Sequence, residues 1–295
     1  MAEAITDDLT SSARHAETHL ESRNNLNQPA VISPDLKNDI DRAFQAIARD
    51  PRYAHFVHIP ERVMRCLDYF RVAFNRVEVK KQLNSYYLFI GVVDNAIDSG
   101  LDTGREILEY FSSGATFDDE TATSDAKLVT EVLKRNTSSD LYPLVLTKLR
   151  ELHRAVVKER EAEMMTAYIQ QRKAVGRLTA ELSYLFIRPF LNEDCNDFCP
   201  FMMRVGMVGC LVDSAIDLRT DADLGLLSFT PNLSDVLKLL TSTLVEGLAL
   251  VFKHPRLIGL FWEAFSDNLK DQSRARGCRP VLAIVSDRKE TAVGV

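Results

Sequence analysis

The sequence predicts an all-α protein, and three observations carry that expectation. Proline and glycine are scarce, at 10 and 12 of 295 residues. Period-two alternation of β-branched residues is nearly absent, and apolar residues recur every three or four positions through most segments. The balance of 46% hydrophobic and 26% charged residues is that of an ordinary globular chain, long enough for one large or two modest domains.

Taken in order, residues 1–32 are too polar to begin a core and lack the apolar centre of a signal peptide, so they read as a mobile tail. A single helical domain is expected over 33–277, followed by a C-terminal tail at 278–295. Ser33 is the N-cap candidate and Pro34 suits the first helical position, where its missing N–H costs nothing; that helix should end near Pro51. Further helical patterns run over 60–76, 77–99, 103–113, 124–136, 140–188, 197–221, 233–253 and 256–273. The 140–188 stretch exceeds a typical globular helix, so a break near Gly176 is expected. The stretch 112-SSGATFDDETATSDA-126 reads as a solvated loop, with Asp118 and Asp119 facing water. The last segment, CRPVLAIVSDRKETAVGV, holds one short apolar run that suits a packed or extended segment.

Composition also excludes function classes. A net charge of −6 and a pI near 5.6, with no basic stripe, argue against nucleic-acid binding, which needs clustered Lys and Arg. The longest apolar run, around 244-LVEGLALVF-252, is far shorter than the roughly 20 residues needed to cross a bilayer, so no transmembrane segment is expected and the localisation expected is cytoplasmic. Cys66, Cys195, Cys199, Cys210 and Cys278 form no even framework and read as reduced thiols. No Glu-x-x-His, P-loop or G-x-G-x-x-G pattern appears, which removes di-iron and nucleotide chemistry.

The distinctive feature is a doubled segment, 92-VVDNAID-98 and 211-LVDSAID-217, whose aspartates recur 119 positions apart (213 minus 94). In a helix, i and i+4 share a face, so Asp94 projects with Asp98 and Asp213 with Asp217, and Asp221 continues the second row. Like charges at this spacing cost an isolated helix a few tenths of a kcal/mol, and burying an unpaired carboxylate costs several times more. A hard divalent cation is the natural compensation. Mg2+ takes one or two carboxylates plus waters and substrate phosphates, so two facing rows would clamp a diphosphate. A lone acidic pair is more often a solvated face; the shared heptad inside two apolar helices is what favours the metal site.

In these residues the chain resembles the class I isoprenoid synthases, in the branch built like squalene and phytoene synthases. It is most similar to the bacterial large-terpene synthases, whose motifs have the form L-D-N-x-x-D and L-D-x-x-I-D-x-x-x-D followed by G-x-L-x-F. Here these become VVDNAID and LVDSAIDLRTDADLGLLSF, with Gly225, Leu227 and Phe229 in the tail. The resemblance implies one helical bundle around a central apolar cavity. It further implies Mg2+ on Asp94, Asp98, Asp213, Asp217 and Asp221, a linear prenyl diphosphate substrate, loss of pyrophosphate, and a linear or cyclic terpene product. Peripheral membrane contact would serve so apolar a product. Two departures, apolar FIGVV where squalene-type enzymes place an Arg and IQQRKAVG after Tyr168, favour single-substrate ionisation over head-to-head prenyl coupling. The remaining rival is a helical scaffold that binds prenyl diphosphates without turnover.

Tyr168 and Arg172 share a helix face and Arg177 follows a turn on. They are candidate diphosphate contacts in the region where the family keeps them, with a solvated face as the equal alternative. Lys270, Arg274 and Arg276 could close over the diphosphate, with an exposed helix end as the favoured alternative. Tyr86, Tyr87, Phe89, Tyr184, Phe186 and Phe229 lie near the motifs and are either core or the aromatic lining of a cation pocket; Tyr87, Phe89, Tyr184 and Phe229 are the candidates taken forward.

Overall fold

A computed structural model describes Arg42 and residues 44–98, 103–113, 124–192 and 197–278. The chain divides into Met1–Arg42 and Ala43–Val295, and the helices below belong to the second unit. They are α1 (Ala54–Tyr69), α2 (Arg76–Asp98), α3 (Thr103–Ser113), α4 (Ser124–Asn136), α5 (Tyr142–Arg160), α6 (Met165–Ile187), α7 (Phe198–Asp223), α8 (Leu233–Lys253) and α9 (Ile258–Cys278). No strand occurs among the described residues, and the lone β-bridge, Phe74 with Leu191, ties the α1–α2 connection to the α6–α7 connection. The all-α expectation is therefore met. The expected N-cap at Ser33, the Asp118–Asp119 loop and the apolar tail run lie outside the described residues.

α7 ends at Asp223 and α9 at Cys278, two and five residues past the expected limits, and two further differences are larger. α1 begins at Ala54, six residues before the expected start, and carries Pro60 within it. It ends at Tyr69, because Arg71 adopts φ 56° and the Val72 N–H returns to the Leu67 carbonyl at 3.1 Å. The second difference concerns 140–188. The chain breaks between Arg160 and Met165, and α6 runs unbroken through Gly176.

Gly176 serves close approach, not interruption. A Cβ there would collide with the carbonyl oxygen of Gly206 on α7; a Cβ on Gly206 would collide in return with the Gly176 carbonyl and sit 2.7 Å from Cβ of Ala180. Without side chains at this crossing, α6 and α7 bring their backbones together and run antiparallel, with Tyr168 and Arg172 of α6 meeting Ser214 and Cys210 of α7.

The main core fills with side chains from α1 through α9, including fully buried Tyr86, Leu83, Phe111, Leu133, Leu182 and Phe198. Tyr86 satisfies its hydroxyl by donating to the Thr179 carbonyl at 2.8 Å. Asn136 Nδ2 donates to Ser85 Oγ at 2.9 Å, which settles two more polar atoms beside the core. α8 starts with a capping box: Asn232 Oδ1 accepts from the Asp235 N–H at 3.1 Å, and the Asn232 N–H donates to Asp235 Oδ2 at 3.2 Å. By length and composition α7 is apolar enough to cross a membrane, although no such segment was expected from the sequence.

Gly176→Ala is expected to lower stability by about 1–3 kcal/mol, the usual range for overpacking. Gly247→Ala, where the nearest atom to a new Cβ is Val208 Cγ1 at 3.9 Å, should raise it by about 0.5–1 kcal/mol, since Ala suits a helix better than Gly. Urea unfolding of both variants measures the opposite signs.

Candidate functional site

α2 and α7 carry the two aspartate rows. Asp94 is exposed on the last turns of α2, while Asp213, Asp217 and Asp221 are half-buried along α7. Asp98 is the last helical residue of α2, and its side chain lies outside the described residues.

The centre of the polar cluster is Arg172. Its Nη1 lies 3.2 Å from Glu159 Oε1 at the end of α5, its Nη2 lies 3.3 Å from Asp213 Oδ2, and Nη2 also donates to the Cys210 carbonyl at 3.3 Å. One guanidinium thus spans α5, α6 and α7. Burial alone would depress its pKa, but Glu159 first, then Cys210, Tyr168 and Asp213, overcome this and hold it well above its ordinary value. Arg172 Nε is buried with no hydrogen-bond partner, which leaves one N–H of the fork unused.

Tyr168 donates its hydroxyl to Ser214 Oγ at 3.2 Å, and Ser214 donates to the Cys210 carbonyl at 2.9 Å. Burial pushes the Tyr168 phenol up to about 12; Arg172 and the Ser214 bond oppose this, while Glu159 and Asp221 add to it. The Cys210 thiol is raised to about 11, by burial first, then against Arg172 and with Asp213, Glu159 and Asp94. Asp94 and Asp213, on different helices, therefore act electrostatically on one common atom.

Of the expected contacts, Tyr168, Arg172 and Asp213 come together, with Asp221 near enough to act on Tyr168. Phe229 joins them, its ring centroid 6.0 Å from that of Tyr168, in a small apolar cluster with Leu211, Leu218 and Leu239. Tyr87, Phe89 and Tyr184 lie in the main core instead, and burial raises the Tyr87 phenol to about 12. Arg177 is exposed. Five positions past Arg172 puts it about 140° around α6 rather than on the same face.

Sequence reasoning missed Glu159, Arg160, Cys210 and Ser214. Glu159 and Arg160 sit in a charged run, KEREAE, inside the stretch expected to be one continuous helix up to Gly176. Arg160 Nη1 donates to the Ile97 carbonyl at 3.2 Å, and Ser228 Oγ donates to the Arg160 carbonyl. Ser214 did carry a signal, because the position after the leading aspartate is Asn95 in the first segment and Ser214 in the second. The smaller hydroxyl is buried where Tyr168 meets α7, whereas Asn95 is exposed.

The donor set is made of carboxylate oxygens, which suit Mg2+ and not a soft metal. Among the described residues, no three His, Cys, Asp or Glu side chains converge as a protein-built metal cage. A Mg2+–diphosphate site does not need one, since each ion keeps waters and phosphate oxygens beside one or two carboxylates. Comparison with family models, curated proteins and solved structures gives no match to the chain.

The buried acids predict alkaline lability. Unfolded, Cys210 and Tyr168 ionise near 9 and 10; folded, they hold their protons to about 11 and 12. The stability this contributes is complete below pH 9 and is lost as pH rises from 9 to 12. Melting temperature should fall across that window, and Tyr168→Phe should flatten the fall between pH 10 and 12.

Proposed function

We propose that this chain is a Mg2+-dependent class I terpene synthase that ionises a linear prenyl diphosphate, releases pyrophosphate and yields a linear or cyclic terpene. The observation that carries the reading is that Arg172 joins Asp213 of the second aspartate row to Glu159, one turn from Tyr168 on the same helix. The two acidic rows lie on separate helices, and the cationic fork of Arg172 stands beside the second.

In this reading Asp94 and Asp98 from α2, and Asp213, Asp217 and Asp221 from α7, would hold Mg2+. The bound ion would supply Lewis-acid stabilisation of the departing diphosphate, worth several kcal/mol. Arg172 has one N–H without a partner and three directed at Glu159, Asp213 and a backbone carbonyl, so its fork is held in place beside the second row, where its charge would favour a diphosphate. Tyr168 stays neutral up to about pH 12 and can only donate or accept a hydrogen bond at working pH. Apolar Leu211, Leu218, Leu227 and Phe229 surround this end and would keep water from an allylic cation.

The test incubates the protein with Mg2+ and prenyl diphosphates of increasing length and measures pyrophosphate release and hydrocarbon products. Single-substrate terpene formation is expected. Asp94→Asn and Asp213→Asn should each lower kcat/KM by roughly 100-fold or more, matching the loss of several kcal/mol of charge stabilisation. Unchanged activity in either variant would remove the metal assignment. A product joining two prenyl chains would mean head-to-head coupling, and absence of turnover at every length would mean a binding scaffold.

A further inference from the structure

α8 has two unlike faces. One packs inward through buried Asp235, Leu239 and Leu250, with Thr243 Oγ1 3.5 Å from the Leu211 carbonyl of α7 and Glu246 paired to Lys173 of α6 at 2.8 Å. The other presents Leu233, Leu237, Leu240, Leu244, Leu248 and Phe252 to solvent, each between 44% and 79% exposed. At 100° per residue these six fall within about 120° of one another, so they form one stripe along the whole helix.

The stripe is too large for an ordinary monomer surface. With leucine and phenylalanine exposing roughly 200 Å² each when free, the exposures sum to about 700 Å², above the ~300–600 Å² of a typical largest apolar patch and close to the ~800 Å² per partner of a standard interface. Leu233, Leu237, Leu240 and Leu244 follow a four-three-four spacing, the period by which one helix seats leucines against another. A lipid surface suits it less. Interfacial helices carry Lys and Arg beside their apolar face, whereas Lys238 is paired to Asp235 at 3.0 Å and the chain is net negative by 6.

We propose that the leucine stripe of α8 is a self-association surface on which a second copy of this chain docks, α8 against α8 in antiparallel orientation. A two-fold contact makes the same patch serve both copies, and the stripe, centred between Leu240 and Leu244, sets Leu240 of one copy against Leu244 of the other. The proposal does not depend on the reaction catalysed.

Sedimentation equilibrium of the full chain over a range of concentrations tests it, with twice the 33.3 kDa chain mass expected. Leu240→Asp and Leu244→Lys, each with unchanged helical circular dichroism, should each sediment as monomers, and mixing the two should restore the doubled mass. Thr241→Cys on the stripe should cross-link between copies under mild oxidation, and Thr147→Cys on exposed α5 should not; this readout holds even if the charged variants fail to fold. A wild-type monomer at every concentration overturns the proposal. So do a dimer that survives both charged variants, a folded mixture that stays monomeric, or a Thr241→Cys chain that cross-links no better than Thr147→Cys. A wild-type monomer that sediments with phosphatidylcholine–phosphatidylglycerol vesicles would assign the stripe to lipid instead.

Discussion

The absence of two side chains governs the candidate site. At Gly176 and Gly206 the backbones of α6 and α7 approach until any Cβ would strike the opposite carbonyl. Because the helices run antiparallel from that point, the residue four before Gly176 meets the residue four after Gly206, and these are Arg172 and Cys210. Tyr168 and Ser214 meet one turn farther on. A wider crossing would carry the guanidinium away from Asp213 and Glu159 together. The electrostatics of the cluster are thus set by a steric fact at a distance from any charge.

The rest of the bundle divides its tasks by location. Toward the other end of α7, Phe70, Phe198, Phe201 and the His254 ring pack at centroid distances of 4.8 to 6.3 Å. Burial lowers the His254 pKa, with Lys253 and Arg204 adding to the effect, so the ring tends to behave as a neutral packing group. Near the aspartates the packing is thinner. The apolar residues there form a separate small cluster, and polar atoms are satisfied through chains of hydrogen bonds that share the Cys210 carbonyl. Packed aromatic rings thus occupy one end of α7 and hydrogen-bonded polar groups the other.

Helix number and order could be read from the sequence because apolar periodicity survives tertiary packing. From α2 to α4 and again at α8 the expected limits fall within a residue of those observed. The misreading of Gly176 has a physical cause: a glycine that weakens a helix locally and one that admits a neighbouring backbone look identical in one dimension. Arg177 follows Arg172 closely in sequence, but five positions overshoot a turn by about 140°. Arg172 itself was recognised by its spacing from Tyr168, but its partners were not, since Glu159 and Asp213 lie 13 positions before it and 41 after it. Salt bridges between helices leave no periodic trace.

Arg160 ends α5, and its two contacts reach in opposite directions. Its side chain holds the Ile97 carbonyl on the final turn of the first aspartate helix, while its own carbonyl receives Ser228 from the segment that follows the second. That segment begins at Gly225, whose φ of 71° turns the chain away from α7. The ends of both acidic helices are therefore moored to one residue of a third. A rearrangement of the turn after Asp223 would be felt at Ile97 through Arg160, so the spacing between the two rows answers to the position of α5.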